Sequence, residues 1–277
     1  MRMILLILAV ALAGQMRAET VIETAPRPVR FTTRDSIELA ATYYHPISSN
    51  PVPAVILLHS YGKSSEEWGP VASLFQMNQV AALALDLRGH GQSTHRLTAN
   101  GTETVDYHNF TPQDYTAMLL DINQAYDWLA SQPGIDKHRI AVVGSSIGAN
   151  LGLRYAAFND EVVGLVLISP GLFYQNLRTD DVITGYGKRP LRIVVSRDDT
   201  FAFASALQLI EIRQRAGQAV ESNETIVCSG SLHGATMLTG VKDLSGVVFG
   251  WLNQLLFSLP ASPAEPAPKG VKSNYHR

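Results

Sequence analysis

The sequence predicts an α/β protein: a doubly wound, mostly parallel sheet flanked by helices, with an antiparallel hairpin at its N-terminal end. Three observations predict it. Short, largely apolar runs recur at residues 54–58, 81–85, 140–143, 162–168 and 191–195; 54–58 and 81–85 carry no polar residue, the pattern of strands buried on both faces under helices. Between them lie segments with helical spacing of apolar residues, and regular alternation of β and α implies a doubly wound sheet. Two β-rich runs, 29–33 and 37–44, flank the turn Arg34-Asp35-Ser36 and predict the hairpin at a sheet edge.

Residues 1–18 read as a secretory signal peptide: a basic start, an apolar stretch over 3–13, and small or polar residues up to Ala18. The stretch is shorter than the roughly 20 residues of a spanning helix, so export to the periplasm or medium is expected, with no stable membrane span after cleavage. Residues 19–257 are expected to form a single domain, and 258–277, rich in Pro, Ala and charge, a disordered tail.

Within the domain, 67–76 can be helical. Thr111-Pro112-Gln113-Asp114 opens a helix expected to run to 131: Thr111 caps, proline suits the first helical position, and an acid is favoured at the positive helix end. Met118, Ile122, Ala125 and Leu129 share its inward face, and Pro133-Gly134 ends it. Further helices are predicted over 202–216 and 243–257, with a short strand at 225–228. The interval 169–190, which carries Pro170-Gly171 and Gly185-Tyr186-Gly187, reads as a loop with at most one helical turn.

Of the 277 residues, 46% are hydrophobic and 17% charged, and the formal net charge is −2, so nothing suggests a basic face for nucleic acid. The single cysteine, Cys228, cannot form an internal disulfide and reads as a small core residue. No pair of histidines at helical spacing brackets a glutamate and no cysteines cluster, so neither a metal nor another cofactor is expected.

Open α/β sheets bind ligands at the carboxyl ends of their strands, which makes the residues just after each apolar run informative. They are His59-Ser60-Tyr61-Gly62, the segment from Asp86 to Ser93, Gly144-Ser145-Ser146-Ile147-Gly148, Ser196 to Thr200, and Ser229 to Gly234. The third is a G-x-S-x-G pentapeptide between a strand and a helix. It reads as a nucleophile elbow, with Ser146 on a strained turn and glycines where a Cβ would meet neighbouring backbone. A serine, an acid and a histidine thus fall at one sheet edge, in the order Ser, Asp, His.

The H-x-x-G segment at His59, the D-x-R-G-H-G-x-S segment at Asp86, the elbow, an acid after a late strand and the His233-Gly234 pair occur in that order. Through them residues 31–257 resemble the α/β-hydrolase family, in particular its lidless serine esterases and dienelactone hydrolases. The resemblance implies Ser146 as nucleophile, His233 as its base and Asp199 as the acid that orients the histidine, with Asp198 as the alternative. It also implies an oxyanion hole from the backbone N–H groups of Ile147 and Tyr61, although Ser60 stands where family members usually carry glycine. His59, His90, Asp86 and Arg88 are expected to brace the loops beneath. The short interval 169–190 implies an open site with Phe173, Tyr174, Phe201 and Phe203 as a candidate aromatic rim. Serine at the elbow selects acyl transfer, so the expected activity is cleavage of a small-molecule ester. A serine peptidase or another acyl-transfer enzyme is the alternative, and a non-catalytic binding protein of the same fold is a further one.

Overall fold

The computed structural model describes residues 25–218 and 224–261; the expected signal peptide and residues 262–277 of the expected tail lie outside the described residues. The strands are β1 (Arg27–Thr32), β2 (Ile37–Tyr44), β3 (Val52–Leu58), β4 (Ala81–Leu85), β5 (His95–Thr98), β6 (Gly101–Thr104), β7 (Ile135–Ser145), β8 (Val162–Ile168), β9 (Phe173–Tyr174), β10 (Leu177–Arg178), β11 (Leu191–Ser196) and β12 (Thr225–Cys228). The helices are α1 (Gly69–Met77), α2 (Pro112–Ala117), α3 (Leu119–Ala130), α4 (Ile147–Ala157), α5 (Thr200–Arg215), α6 (Thr236–Gly240) and α7 (Leu244–Ser258).

The apolar runs set the sheet. β12, β11, β8, β7, β3 and β4 lie side by side and parallel, and β2 continues the sheet antiparallel to β4. Every residue of β3 and β4 is buried, as a strand covered on both faces must be. Alternate side chains feed opposite layers. Ile56, Leu58, Val142 and Leu165 pack with Ile122 and Leu129 of α3, Leu151 of α4 and Leu209 of α5. Val55, Leu57, Val143 and Val166 pack with Phe75 of α1, Leu238 of α6 and Val248 of α7. The chain leaves β3 for β4 on one side and returns as β7 on the other. The strand order therefore reverses at β3 and β7, and the crevice above their carboxyl ends is the topological switch point.

The predicted hairpin forms with β1 against β2, but only β1 lies at an edge. β2 is enclosed, because Glu38 pairs with Thr32 on one side and with His95 on the other. The expected helix over 111–131 divides into α2 and α3 at Met118, where the turn tightens to hydrogen bonds from Met118 N–H to Tyr115 and from Asp121 N–H to Met118. Its start is as read: Thr111 and Asp114 form a reciprocal capping box with proline in the first turn. The sequence does not anticipate two hairpins, one in 95–104 and one in the interval that reads as loop. β5 and β6 are polar and joined through Ala99-Asn100, and β9 and β10 occupy the interval before β11. Among the described residues, no helix is long and apolar enough to cross a membrane.

Beneath the β4 loop, Arg88 is an ion-pair hub. Its Nε donates to Asp121 Oδ1 at 2.8 Å, its backbone N–H to Asp121 Oδ2 at 2.9 Å, and its Nη1 to Asp35 Oδ2 at 2.6 Å. Arg88 and Asp121 are both buried, so removing one partner strands the other away from water. Asp121→Ala is expected to lower the unfolding free energy by about 3 kcal/mol, the low end of the range because Asp35 still holds one face of the guanidinium. Urea denaturation measures this; a loss under about 1 kcal/mol would contradict the assignment of Arg88 as a structural hub.

Candidate active site

Ser146 lies between β7 and α4 with φ 55° and ψ −117°, a conformation that a non-glycine residue adopts only when its surroundings enforce it. Its N–H donates to Ile168 O at 2.8 Å, and its carbonyl accepts from Ala149 N–H at 2.9 Å. The glycines do what the turn requires. A Cβ at Gly144 would run into the Gly148 carbonyl, and one at Gly148 into the carbonyl oxygens of Leu58 and His59. The elbow is thus pressed directly onto the loop after β3.

Three loops bring the predicted side chains together. His233 Nε2 lies 2.8 Å from Ser146 Oγ, and His233 Nδ1 lies 2.6 Å from Asp199 Oδ2. Asp199 immediately precedes α5, and its side chain is largely buried at 14% exposure, against 41% for His233. Asp198, the alternative acid, is exposed and does not meet the histidine; its backbone N–H donates to Gly230 O at 3.0 Å. With the carboxylate on Nδ1, the neutral ring carries its proton there and offers Nε2 as an acceptor to the Ser146 hydroxyl.

The two expected oxyanion donors line the same cavity as Ser146. Ile147 is the first residue of α4, and Tyr61 follows β3. Among the described residues neither backbone N–H donates a hydrogen bond within the chain. His59 orients the second of them. Its Nε2 accepts from Leu87 N–H at 3.0 Å, which leaves Nδ1–H to donate to Ser60 O at 2.7 Å. Because the Ser60–Tyr61 peptide is trans, turning its carbonyl toward His59 turns the Tyr61 N–H the opposite way.

A cavity of about 590 Å³ opens beside Ser146, lined by Tyr61, Phe110, Tyr115, Ile147, Phe173 and Tyr174 together with Pro112, Gln175 and Asn176. Among the described residues, no charged side chain lines it. The expected rim is therefore partly right: Phe173 and Tyr174 face the cavity, whereas Phe201 packs on Tyr174 at a centroid distance of 5.4 Å and Phe203 packs against the core. Tyr174 reaches further than a rim residue. Burial, and then the charge of Asp199, push its phenol up to about 12, and a hydrogen bond to the Ser146 side chain works in the other direction.

Sequence reasoning missed what holds this wall in place. Asn150, fully buried on α4, donates from Nδ2 to Leu177 O at 2.8 Å and accepts at Oδ1 from Gly171 N–H at 3.0 Å. Thr179 Oγ1 donates to Gly171 O at 2.8 Å, and Ser205 Oγ accepts from Leu172 N–H at 3.0 Å. The available signal was a lone amide on the buried face of the elbow helix. Among the described residues, no group of three or more His, Cys, Asp or Glu side chains is arranged to hold a metal ion.

Residues 55–268 match the sequence profile of the alpha/beta hydrolase family, and the chain belongs to that family. Among curated relatives, the polyketide transferase grgF of Penicillium sp is 27% identical over 149 residues, 53% of this chain and 46% of grgF. The thiohydrolase aneE of Aspergillus aculeatus is 26% identical over 143 residues, 51% of this chain and 41% of aneE. The chain spans about half or less of these relatives' length. Among solved structures, the Pyrococcus furiosus esterase Pf2001 superposes with a TM-score of 0.64 at 18% identity, covering 84% of this chain and 93% of the esterase, a likeness of fold.

His59 is fully buried, and its pKa is pushed down from 6.5 to about 4, first by removal from water and then by the neighbouring His90. The unfolded chain therefore takes up this proton at a higher pH than the folded one. The contribution is full above about 6.5 and is lost as pH falls toward 4. The stability gap between the protein and its His59→Asn variant is expected to narrow by about 2 kcal/mol from pH 7.5 to 5, measured by urea denaturation. A gap that does not change with pH would contradict a neutral, buried His59.

Proposed function

We propose that this protein is a serine hydrolase that cleaves a carboxylic ester through an acyl-enzyme intermediate, with Ser146 as nucleophile, His233 as general base and acid, and Asp199 as the orienting carboxylate. The observation that carries this is the continuous hydrogen-bond series from Ser146 Oγ to His233 Nε2 and from His233 Nδ1 to Asp199 Oδ2, at 2.8 and 2.6 Å. A serine hydroxyl is a weak nucleophile until a base accepts its proton. His233 Nε2 is within reach to take that proton as Oγ attacks the ester carbonyl, and to return it to the departing alcohol. Asp199 keeps the ring in the right tautomer and stabilises the imidazolium. The amides of Ile147 and Tyr61 stabilise the tetrahedral oxyanion. Water then attacks the acyl-enzyme with the same histidine as base.

The cavity sets the substrate class. Its aromatic lining favours an ester whose group beside Ser146 is apolar; a charged group there would be desolvated without a partner. We infer that the enzyme is exported and works after removal of residues 1–18. A peptidase or another acyl-transfer enzyme would use the same residues, and the acceptor and leaving group distinguish them.

A fluorophosphonate probe is expected to label the purified protein at Ser146. Ser146→Ala should lower ester hydrolysis by roughly 10³- to 10⁶-fold with the urea midpoint unchanged. Folded protein that is not labelled, or turnover that survives the substitution, would reject the assignment. Across esters of one alcohol, kcat/KM for a phenylacetyl ester should exceed that for a succinyl ester by at least about tenfold; the reverse order would reject the substrate class.

A further inference from the structure

Ser60 and Ser145 immediately precede Tyr61 and Ser146, and neither has a role in the chemistry just described. Ser145 is fully buried and Ser60 nearly so. Their Oγ atoms lie 2.6 Å apart. Ser60 Oγ also lies 2.9 Å from Glu67 Oε1, and Ser60 N–H donates to Glu67 Oε2 at 2.8 Å. At the other end, Ser145 Oγ accepts from Ala235 N–H at 2.7 Å.

The proton directions follow from this geometry. An ionised carboxylate only accepts, so the single hydroxyl proton of Ser60 goes to Glu67. Ser60 Oγ must then accept from Ser145 O–H, while Ser145 Oγ itself accepts from Ala235 N–H. The result is one directed chain: Ala235 N–H to Ser145 O–H to Ser60 O–H to Glu67. It crosses three loops. Ser60 precedes the oxyanion donor Tyr61, Ser145 precedes the nucleophile, and Ala235 lies two residues beyond His233. Gly234 confirms how closely the histidine loop rests on it: with φ 65°, a Cβ there would come within 2.6 Å of Ser145 Oγ and 2.8 Å of Ser60 Oγ.

We propose that Ser60, Ser145 and Glu67 are positioning residues, a hydroxyl chain that holds the oxyanion turn, the nucleophile elbow and the histidine loop in register with one another. The proposal rests on the reading of Ser146 as nucleophile and of the Tyr61 amide as oxyanion donor. The Ser60–Tyr61 peptide is held through its carbonyl, which accepts from His59 Nδ1–H and from Lys63 N–H at 3.1 Å, and through the rest of Ser60, whose N–H donates to Glu67 and whose Oγ lies between Glu67 and Ser145. The two serines depend on each other. With glycine in place of Ser60, the buried Ser145 hydroxyl would lose its acceptor, and the Glu67 carboxylate would keep only the backbone contact.

The test compares Ser60→Ala, Ser145→Ala, Glu67→Gln and Ser60→Thr, with kcat and KM expressed per site titrated to completion by fluorophosphonate, alongside the Kd for phenylboronic acid, which forms a tetrahedral serine adduct. The first three are expected to lower kcat by about 10- to 100-fold with KM within about twofold, because misplaced donors and nucleophile weaken transition-state stabilisation. Phenylboronic acid should bind more weakly by a matching factor. The Ser60→Ala, Ser145→Ala double variant should be no worse than about threefold beyond either single one, since both break the same chain. Ser60→Thr, which keeps the hydroxyl, should stay within about threefold of the parent. Glu67 is only half-buried, so Glu67→Gln decides the matter if the serine variants do not fold. Activity per titrated site within twofold of the parent in the folded variants overturns the proposal, as does a rise in KM alone. Those outcomes leave the hydrolase reading standing if the parent is labelled at Ser146 and cleaves esters; an unlabelled, inactive parent rejects both.

Discussion

The turn at Ser146 constrains everything around it. A positive φ at a serine is held only if the backbone on both sides is pinned, and here it is. The preceding strand lies mid-sheet, the Ser146 N–H is bound to Ile168 O, and the following helix begins at once. The close approach of Gly148 to the Leu58 and His59 carbonyls then fixes where β3 must end relative to β7. Two neighbouring parallel strands ending together at a switch point produce the crevice. The acid and the histidine arrive from β11 and β12, farther along the same parallel array. Strain at one residue is thus sustained by the hydrogen bonding of the whole sheet.

Polar groups are handled in two ways beneath and above that turn. Below it they are buried and paired. Arg88 sits between Asp121 and Asp35, Asp86 accepts from Ser65 and Gln92 N–H at 2.6 and 2.8 Å, and His59 is kept neutral with both ring nitrogens engaged. Such groups are expensive to disrupt and give the loops single conformations. Above it the surface is open and aromatic, and His233 is the most exposed member of the hydrogen-bonded series. Rigid loops under an accessible face suit a reaction in which atoms move little and substrates exchange freely.

Much of this was legible in the chain itself. β3, β4 and β8 announce themselves because a strand buried on both faces has no polar alternation, and the elbow because only glycine fits at 144 and 148. Ser146, Asp199 and His233 followed from their positions after strands and from the family resemblance, and the structure brings those three side chains together. What was not legible depends on contacts between distant segments. β5 and β6 carry almost no apolar residues, so periodicity gave no sign of them; Ala99-Asn100-Gly101 was the one turn signal. The β9–β10 hairpin is two residues per strand and exists because Asn150, Thr179 and Ser205 hold it. The break at Met118 leaves no mark in composition. Ser60 looked like a mild departure from a family glycine and Ser145 like an ordinary residue of the elbow, and only their 2.6 Å separation gives them meaning.

The central claim is that this site is built to hold a tetrahedral adduct on Ser146 with its oxygen against two amides. The most direct measurement is the crystal structure of the fluorophosphonate-treated protein. It should show phosphorus bonded to Ser146 Oγ, with a phosphoryl oxygen about 3 Å from both the Ile147 and Tyr61 nitrogens. A phosphoryl oxygen turned toward solvent, or the adduct on another residue, would contradict the account.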